Sequence, residues 1–387
     1  MKLAERVAQI TPSATRAVKR AADELKRQGV HVADLGQGEP DFPTPEHIKR
    51  AAEEALAQNF TKYTAETGIW ELRDAIAQKY NREYGTRYTA ENVLVTSGAK
   101  QALYNVAAAL FEAGDEVLIP VPYWVSFPEQ VKLVGATPVF VKTPRDFRLS
   151  ADLIKEYITP RTRALILNSP NNPAGTVLAR QDLQEIIALA HKHELWVIYD
   201  ECYEKFLYEG THTSAVEFDT ERVIAVSSAS KTYAMTGWRL GWSVAPKELT
   251  RAMAIIQGHT TSHPTSISQK AALAALTGDQ SCVEQMLLEY RRRRELVVSE
   301  LRTIEGVGFT VPQGTFYIFP NVERFFTDEI TNSVELARFL LERHHVAVVP
   351  GAAFGAEGYI RISYATSLEQ LREGLKRLRE GLAQLYE

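Results

Sequence analysis

The chain has little cysteine: Cys202 and Cys282 are the only two in 387 residues. They match no metal-ligand spacing, so no metal site is expected, and a reducing compartment with two buried or neutral thiols fits best. No apolar run is long enough to cross a bilayer, and the first thirty residues have no apolar core of signal-peptide length. The expectation is a cytoplasmic protein without a membrane partner. Basic residues are not clustered and the net charge is -4, which argues against a nucleic-acid partner. The densest basic run, Arg291 to Arg294, points all round its helix, so a solvated face with one or two structural ion pairs is expected there. No GxGxxG follows the first β run and no GxxxxGK[ST] occurs, so neither a dinucleotide fingerprint nor a P-loop is supported. Repeats and low-complexity segments are also missing.

What is present is the composition of a soluble globular protein, 45% hydrophobic and 24% charged. The length allows a large core, in one large domain with an appendage or in two domains. An N-terminal arm and helix end at Gly29, and "VADLGQGEPDFPTP" then runs from a short strand into a Gly/Pro-rich loop. Helical periodicity follows at 45–58 and 70–84. From about residue 93, short β-rich runs alternate with helices: "NVLVTSG", "DEVLIPVP", "TPVFVKT", "RALILNSP", "LWVIYDE", "RVIAVSSASK" and "RLGWSVAP". Strands apolar on both faces and separated by helices predict an α/β fold with a mainly parallel, helix-covered sheet. The remainder predicts a smaller α+β domain. The expected division is a large domain over 46–282, with 1–45 and 283–387 forming the arm and small domain.

In open α/β sheets the carboxyl ends of strands face the ligand crevice. Here those ends carry Ser97-Gly98, Pro122-Tyr123-Trp124, Asn168 to Pro173, Asp200-Glu201 and Ser227 to Lys231. Asp200 closes a run apolar enough to be buried, where a carboxylate must be exposed, paired or neutralised. Hydroxyls, a turn and Arg239 around Lys231 suggest a phosphate site, since a guanidinium grips phosphate bidentately. A second anion cup is expected where "TSGAKQAL" turns from strand into helix, with free N–H groups at Ala99 and Lys100. A phosphorylated ligand that also needs a carboxylate and a lysine is described by pyridoxal phosphate. Its aldehyde bonds to lysine and its ring nitrogen wants an aspartate.

The motifs "GEPDF", "YWVSFPE", "NSPNNPAGTV", "YDECYE", "SSASKTYAMTGWRLGW" and "YIRISYATS" closely resemble, in order and over nearly the whole chain, the class I/II pyridoxal-phosphate aminotransferases of fold type I. Within that family they are similar to the bacterial aspartate aminotransferases. The resemblance implies that Lys231 bonds to the cofactor's aldehyde, that Asp200 pairs with its ring nitrogen, and that Trp124 stacks on its ring. It implies that Tyr203 and Asn172 bond its phenolic oxygen, and that Ser228, Ser230, Arg239 and the backbone of Ala99 and Lys100 hold its phosphate. Tyr63 resembles a tyrosine that reaches the phosphate from a neighbouring subunit, so a homodimer with interfacial active sites is implied. Arg361, with Gly38, Asn172 and Trp124, would bind the substrate α-carboxylate. For Arg361 the residues agree independently, because an arginine within "YIRISYA" cannot easily reach water and needs an anion partner. The family often has cis peptides before the equivalents of Pro122 and Pro173.

The implied reaction is ping-pong transfer of an amino group from an L-amino acid, aspartate by preference, to 2-oxoglutarate. Lys231 would act as the proton carrier. The family pattern usually has Thr or Gly where this chain has Lys100, and "GHTTSHPTS" offers no arginine for a distal carboxylate. Lys100, with the hydroxyls of Ser13 and Thr15, is the candidate for that role. An aromatic or prephenate aminotransferase and a carbon–sulfur β-lyase are the alternatives.

Overall fold

The computed structural model describes residues 3–386; Met1, Lys2 and Glu387, which the expected arm and small-domain ranges include, lie outside the described residues. After an arm helix, Ala14–Arg27, the short strand β1 (Ala33–Asp34) leads into the Gly/Pro loop. The central strands follow as β2 (Val93–Thr96), β3 (Glu116–Val121), β4 (Thr137–Lys142), β5 (Thr162–Asn168), β6 (Trp196–Asp200), β7 (Val223–Ser228) and β8 (Gly241–Val244). They form one sheet in the order β2-β8-β7-β6-β5-β3-β4, parallel throughout except at β8, which runs antiparallel to both neighbours.

Both faces of this sheet are buried, which is why its strands read as continuous apolar runs rather than alternating ones. Val95, Leu118 and Val197 pack on one face with Leu72 and Ile76 of the helix Trp70–Tyr84. Their chain neighbours Leu94, Val117 and Ile198 point the other way, onto Leu103 and Met253. That alternation is the period-2 geometry of a strand, with a helical layer on each side. The helix Trp70–Tyr84 stops at Gly85, whose φ of 69° is the left-handed conformation that glycine supplies at a helix end.

A separate buried cluster joins the two ends of the chain. Its strands are β9 (Tyr317–Ile318), β10 (Val346–Ala347), β11 (Val349–Pro350) and β12 (Ile360–Ser363). Parallel pairing of β1 with β10 brings Ala33 and Leu35 into contact with Val346, Ile362 and Leu371. The basic run lies on the helix Ser281–Leu301, where one arginine turns inward. Arg293 is buried and paired with Asp41 at 2.7 Å and Glu289 at 3.0 Å, which ties this helix to the "GEPDF" loop. No helix among the described residues is long and apolar enough to cross a membrane.

One ionic network braces the turn after Asp200. Lys79 Nζ lies 2.8 Å from Glu204 and 3.3 Å from Glu83, with Lys79 and Glu204 both buried. Tyr84 donates to Glu204 at 2.7 Å, and Tyr80 donates to Glu201 at 2.5 Å. Burial alone would raise the Glu204 carboxyl, but the charges of Lys79, Lys205 and His212 hold it well below its ordinary value. Removing Lys79 would take from that buried carboxylate its one ion-pair partner among the described residues and its largest opposing charge. Lys79→Met is therefore expected to lower folding stability by about 3–5 kcal/mol, read as a shifted urea midpoint at neutral pH.

Candidate active site

Sheet register sets the floor of the site. Asn168 at the end of β5 pairs across to Asp200 at the end of β6, so two polar side chains stand side by side at the carboxyl edge. Asn168 donates to the Asp200 carbonyl at 3.0 Å and accepts from the Asn172 N–H at 2.8 Å, bracing the loop that carries Asn172. The Val121-Pro122 and Asn172-Pro173 peptides are cis, as the resemblance implied, and Ser169-Pro170 is cis as well. The Asp200 carboxylate accepts the Cys202 N–H at 3.1 Å. Burial raises its pKa to about 6, against the stabilising bonds from Cys202 and the nearby charge of Lys231. Glu201 points away to Tyr80 and His212, so successive residues serve the cavity and the brace in turn. Tyr203 follows in a turn.

The next strand end carries the lysine. Ser228 Oγ accepts the Ser230 N–H at 3.4 Å, capping the single turn Ala229–Thr232. This turn aims Lys231 into the cavity, where its ammonium donates to the Gly38 carbonyl at 2.5 Å. Burial lowers the Lys231 pKa to about 8; Cys202 and Glu39 oppose the change, while the charges of Arg361 and Arg239 add to it. Arg239, at φ 52°, folds back to donate to the Thr236 carbonyl at 2.9 Å and the Ser97 carbonyl at 3.4 Å. Gly98 makes that approach possible: a Cβ there would lie 2.6 Å from Arg239 Nη2, and its φ of 82° also favours glycine. The helix Ala99–Leu110 begins immediately after it, so the guanidinium lies beside first-turn N–H groups, an arrangement suited to an anion.

The opposite wall comes from the smaller cluster. Arg361 on β12 is 3% exposed, and its Nη atoms donate to Asn172 Oδ1 and the Gly36 carbonyl, each at 3.0 Å. Its guanidinium lies over the Tyr317 ring at 4.3 Å, and its Nε is buried without a partner among the described residues. No carboxylate among the described residues pairs with Arg361, so a structural salt bridge does not explain this buried cation. Tyr317 bonds the Tyr203 hydroxyl at 3.0 Å, although the sequence reading assigned it no role. The usable signal lay in register: Tyr317 pairs with Ser363, two residues from Arg361 on the neighbouring strand. Gly38 keeps this wall open, since a Cβ there would touch Tyr317 Oη and Arg361 Nη2 at 3.6 and 3.9 Å.

Together these groups line a cavity of about 530 Å³. It contains every expected site residue except Tyr63, and it adds Arg16, Lys19 and Thr236, which the sequence reading did not single out. Tyr63 is 92% exposed and packs edge-on against His263, outside the cavity of its own chain. At the mouth, Lys100 Nζ sits 4.9 Å above the Trp124 ring, and Ser13 and Thr15 hydrogen-bond each other at 2.9 Å. Partial burial, then the charges of Arg16 and Arg239, lower the Lys100 pKa.

An amine whose pKa is lowered to about 8, a buried carboxylate, an anion cup and an uncompensated guanidinium can act on an amino or oxo acid through an aldehyde cofactor. Comparison with known proteins points the same way. The family model described as "Aminotransferase class I and II" matches residues 30–378. An aspartate/prephenate aminotransferase of Thermus thermophilus is 45% identical over 387 residues, covering 99% of each chain. An aspartate aminotransferase of Geobacillus stearothermophilus is 43% identical over 384 residues, covering 97% of this chain and 98% of its own. The solved aspartate aminotransferase of Thermus thermophilus with maleate superposes with a TM-score of 0.95 at 44% identity, over 98% of this chain and 100% of that one. The chain belongs to the class I and II aminotransferase family, and it is an aminotransferase of the fold type I α/β architecture.

Proposed function

We propose that the chain transfers the amino group of L-aspartate to 2-oxoglutarate with pyridoxal phosphate as its cofactor. The carrying observation is one cavity holding Lys231, Asp200, Arg239 and an Arg361 that no carboxylate among the described residues neutralises. These residues fit the cofactor. Lys231 would bond its aldehyde, Asp200 its ring nitrogen, and Tyr203 and Asn172 its phenolic oxygen. Arg239, Ser228, Ser230 and the N–H groups of Ala99 and Lys100 would hold its phosphate, and Trp124 would cover its ring. When bound, the cofactor supplies an electron sink for charge released at the substrate α-carbon.

The chain's own residues do the rest. Arg361, steadied by Asn172 and the Gly36 carbonyl, fixes the α-carboxylate and so orients the α-carbon. Lys231, with its pKa lowered to about 8, presents a substantial neutral fraction near neutrality and can take the α-proton and hand it on. Asp200, itself buried, offers a fixed negative charge at the cavity floor. Lys100 would receive the distal carboxylate of aspartate, with Ser13 and Thr15 beside it.

The printed names of the relatives support aspartate and leave prephenate as the second reading. An exposed Tyr63 supports a homodimer in which it completes the partner's site, and the lack of a membrane-crossing helix among the described residues fits a cytoplasmic location. The separate buried clusters support a cofactor domain over 46–282, with 1–45 and 283–387 as arm and small domain. In the test, L-aspartate added to the yellow holoenzyme should bleach its visible band, and 2-oxoglutarate should restore it. Release of a thiol, pyruvate and ammonia from a cysteine thioether, with no oxo acid consumed, would instead indicate a lyase. Lys100→Ser should raise KM for aspartate about five- to tenfold while leaving kcat for an aromatic donor unchanged, the loss of about 1 kcal/mol expected for one solvent-exposed polar contact.

A further inference from the structure

We propose that Arg16, on the arm helix, is a second cation for the substrate's distal carboxylate, facing Lys100 across the cavity mouth and setting the preference for dicarboxylates. The inference rests on the aspartate reading above and deepens it. It starts from the charges that line the cavity, six cationic side chains against three carboxylates. Lys231, Arg239 and Arg361 have the roles already given. Lys19 is paired with Glu39 at 3.8 Å, and Glu39 also accepts the Thr236 hydroxyl at 2.6 Å. Asp34 is taken by Lys26 at 3.1 Å and Asp200 by the Cys202 N–H. Glu129, on the helix Ser126–Leu133, accepts the Thr11 N–H of the arm at 2.8 Å and lies 3.1 Å from Lys132. Arg16 and Lys100 are thus left without a carboxylate partner among the described residues.

The two cations come from separate parts of the chain. Arg16 lies on the helix Ala14–Arg27, which packs through Ala22 against Leu341 and Ala347 of the smaller cluster. Lys100 starts the helix Ala99–Leu110 on the central sheet. They are close enough for the Arg16 charge to help lower the Lys100 pKa, after burial. Without an anion between them they only repel, and a carboxylate placed there is attracted by both. Both side chains are exposed in part at the mouth, so each contributes modestly and neither is needed for folding. A substrate held by Arg361 at one end and this pair at the other would also tether the arm to the large sheet.

The test is calorimetric binding of succinate, a four-carbon dicarboxylate, and of propionate to the holoenzyme, its Arg16→Gln variant and an Arg20→Gln control. Arg20→Gln removes the same charge one helical turn away. Arg16→Gln should raise the Kd for succinate about three- to fivefold, as expected for a partly exposed ion pair, and leave propionate unchanged. Equal weakening of both ligands, equal weakening by Arg20→Gln, or no change would overturn the assignment. Wild-type protein that binds succinate no tighter than propionate would overturn the dicarboxylate reading itself, and this subsite with it.

Discussion

Lys231→Ala is expected to reduce kcat with aspartate by more than about 10⁴-fold, the upper range for a positioned proton carrier, because the same residue also anchors the cofactor. The fold should survive: the turn Ala229–Thr232 is held by Ser228 and by the backbone, not by the lysine side chain. Borohydride reduction followed by mass spectrometry separates the two roles. Wild-type protein should retain the cofactor mass and the variant should not. A variant that keeps more than about 1% of wild-type activity would overturn the assignment.

The lowered pKa of Lys231 adds a pH signature. Only the neutral amine attacks an aldehyde, and a lysine at its ordinary pKa of about 10.4 is under about 1% neutral at pH 8. With its pKa brought down to about 8 by burial, Lys231 is half neutral there. The rate at which apoprotein takes up pyridoxal phosphate should therefore climb with pH up to about 8 and level off above it. A rate still climbing steeply at pH 10 would mean that the site does not depress this lysine.

Asp200→Asn should lower kcat by about 10²- to 10³-fold, the scale for removing one preorganised charge or donor from a site. Its effect on apoprotein stability should have the opposite sign. The folded-state pKa of Asp200 is raised by burial to about 6, so the folded chain holds its proton more tightly than the unfolded chain does. Below about pH 3 both states are protonated and nothing is lost. Between there and pH 6 stability falls as pH rises, and above pH 6 the full penalty of a buried carboxylate remains, about 3 kcal/mol. Apoprotein carrying Asp200→Asn should thus unfold at higher urea than wild type at pH 8 and at the same urea at pH 3. Cofactor binding should reverse the order at pH 8, because only the wild type then has a carboxylate facing the ring. A variant that is less stable at both pH values would show that Asp200 serves packing rather than the site. Strain of this kind is expected where function requires a charge that folding alone disfavours.

The central sheet was legible because its strands are short, apolar on both faces and separated by strongly periodic helices. Strand direction was not: "RLGWSVAP" has the same apolar character as its neighbours, and only its pairing with β2 and β7 shows that it runs against them. Tyr203 lies in a turn held by the bonds of Glu201 and Glu204 to the helix Trp70–Tyr84, and nothing in "YDECYE" itself names that helix. Local pattern carries no information about a partner more than a hundred residues away.

The same distinction holds in the site. The motifs were needed to name Lys231, Asp200 and Arg239, since a lysine or an aspartate taken alone reads as solvated or ion-paired, whereas an arginine among isoleucines demands a partner wherever the chain goes. Tertiary structure alone decided that Arg361 meets Asn172, Tyr317 and the Gly36 carbonyl rather than a carboxylate. It also decided that Arg16, one charged residue among many on an amphipathic helix, lines the cavity. The reason is physical. A side chain's need for a counter-charge belongs to its own atoms and environment, whereas the group that answers that need is set by how distant segments pack.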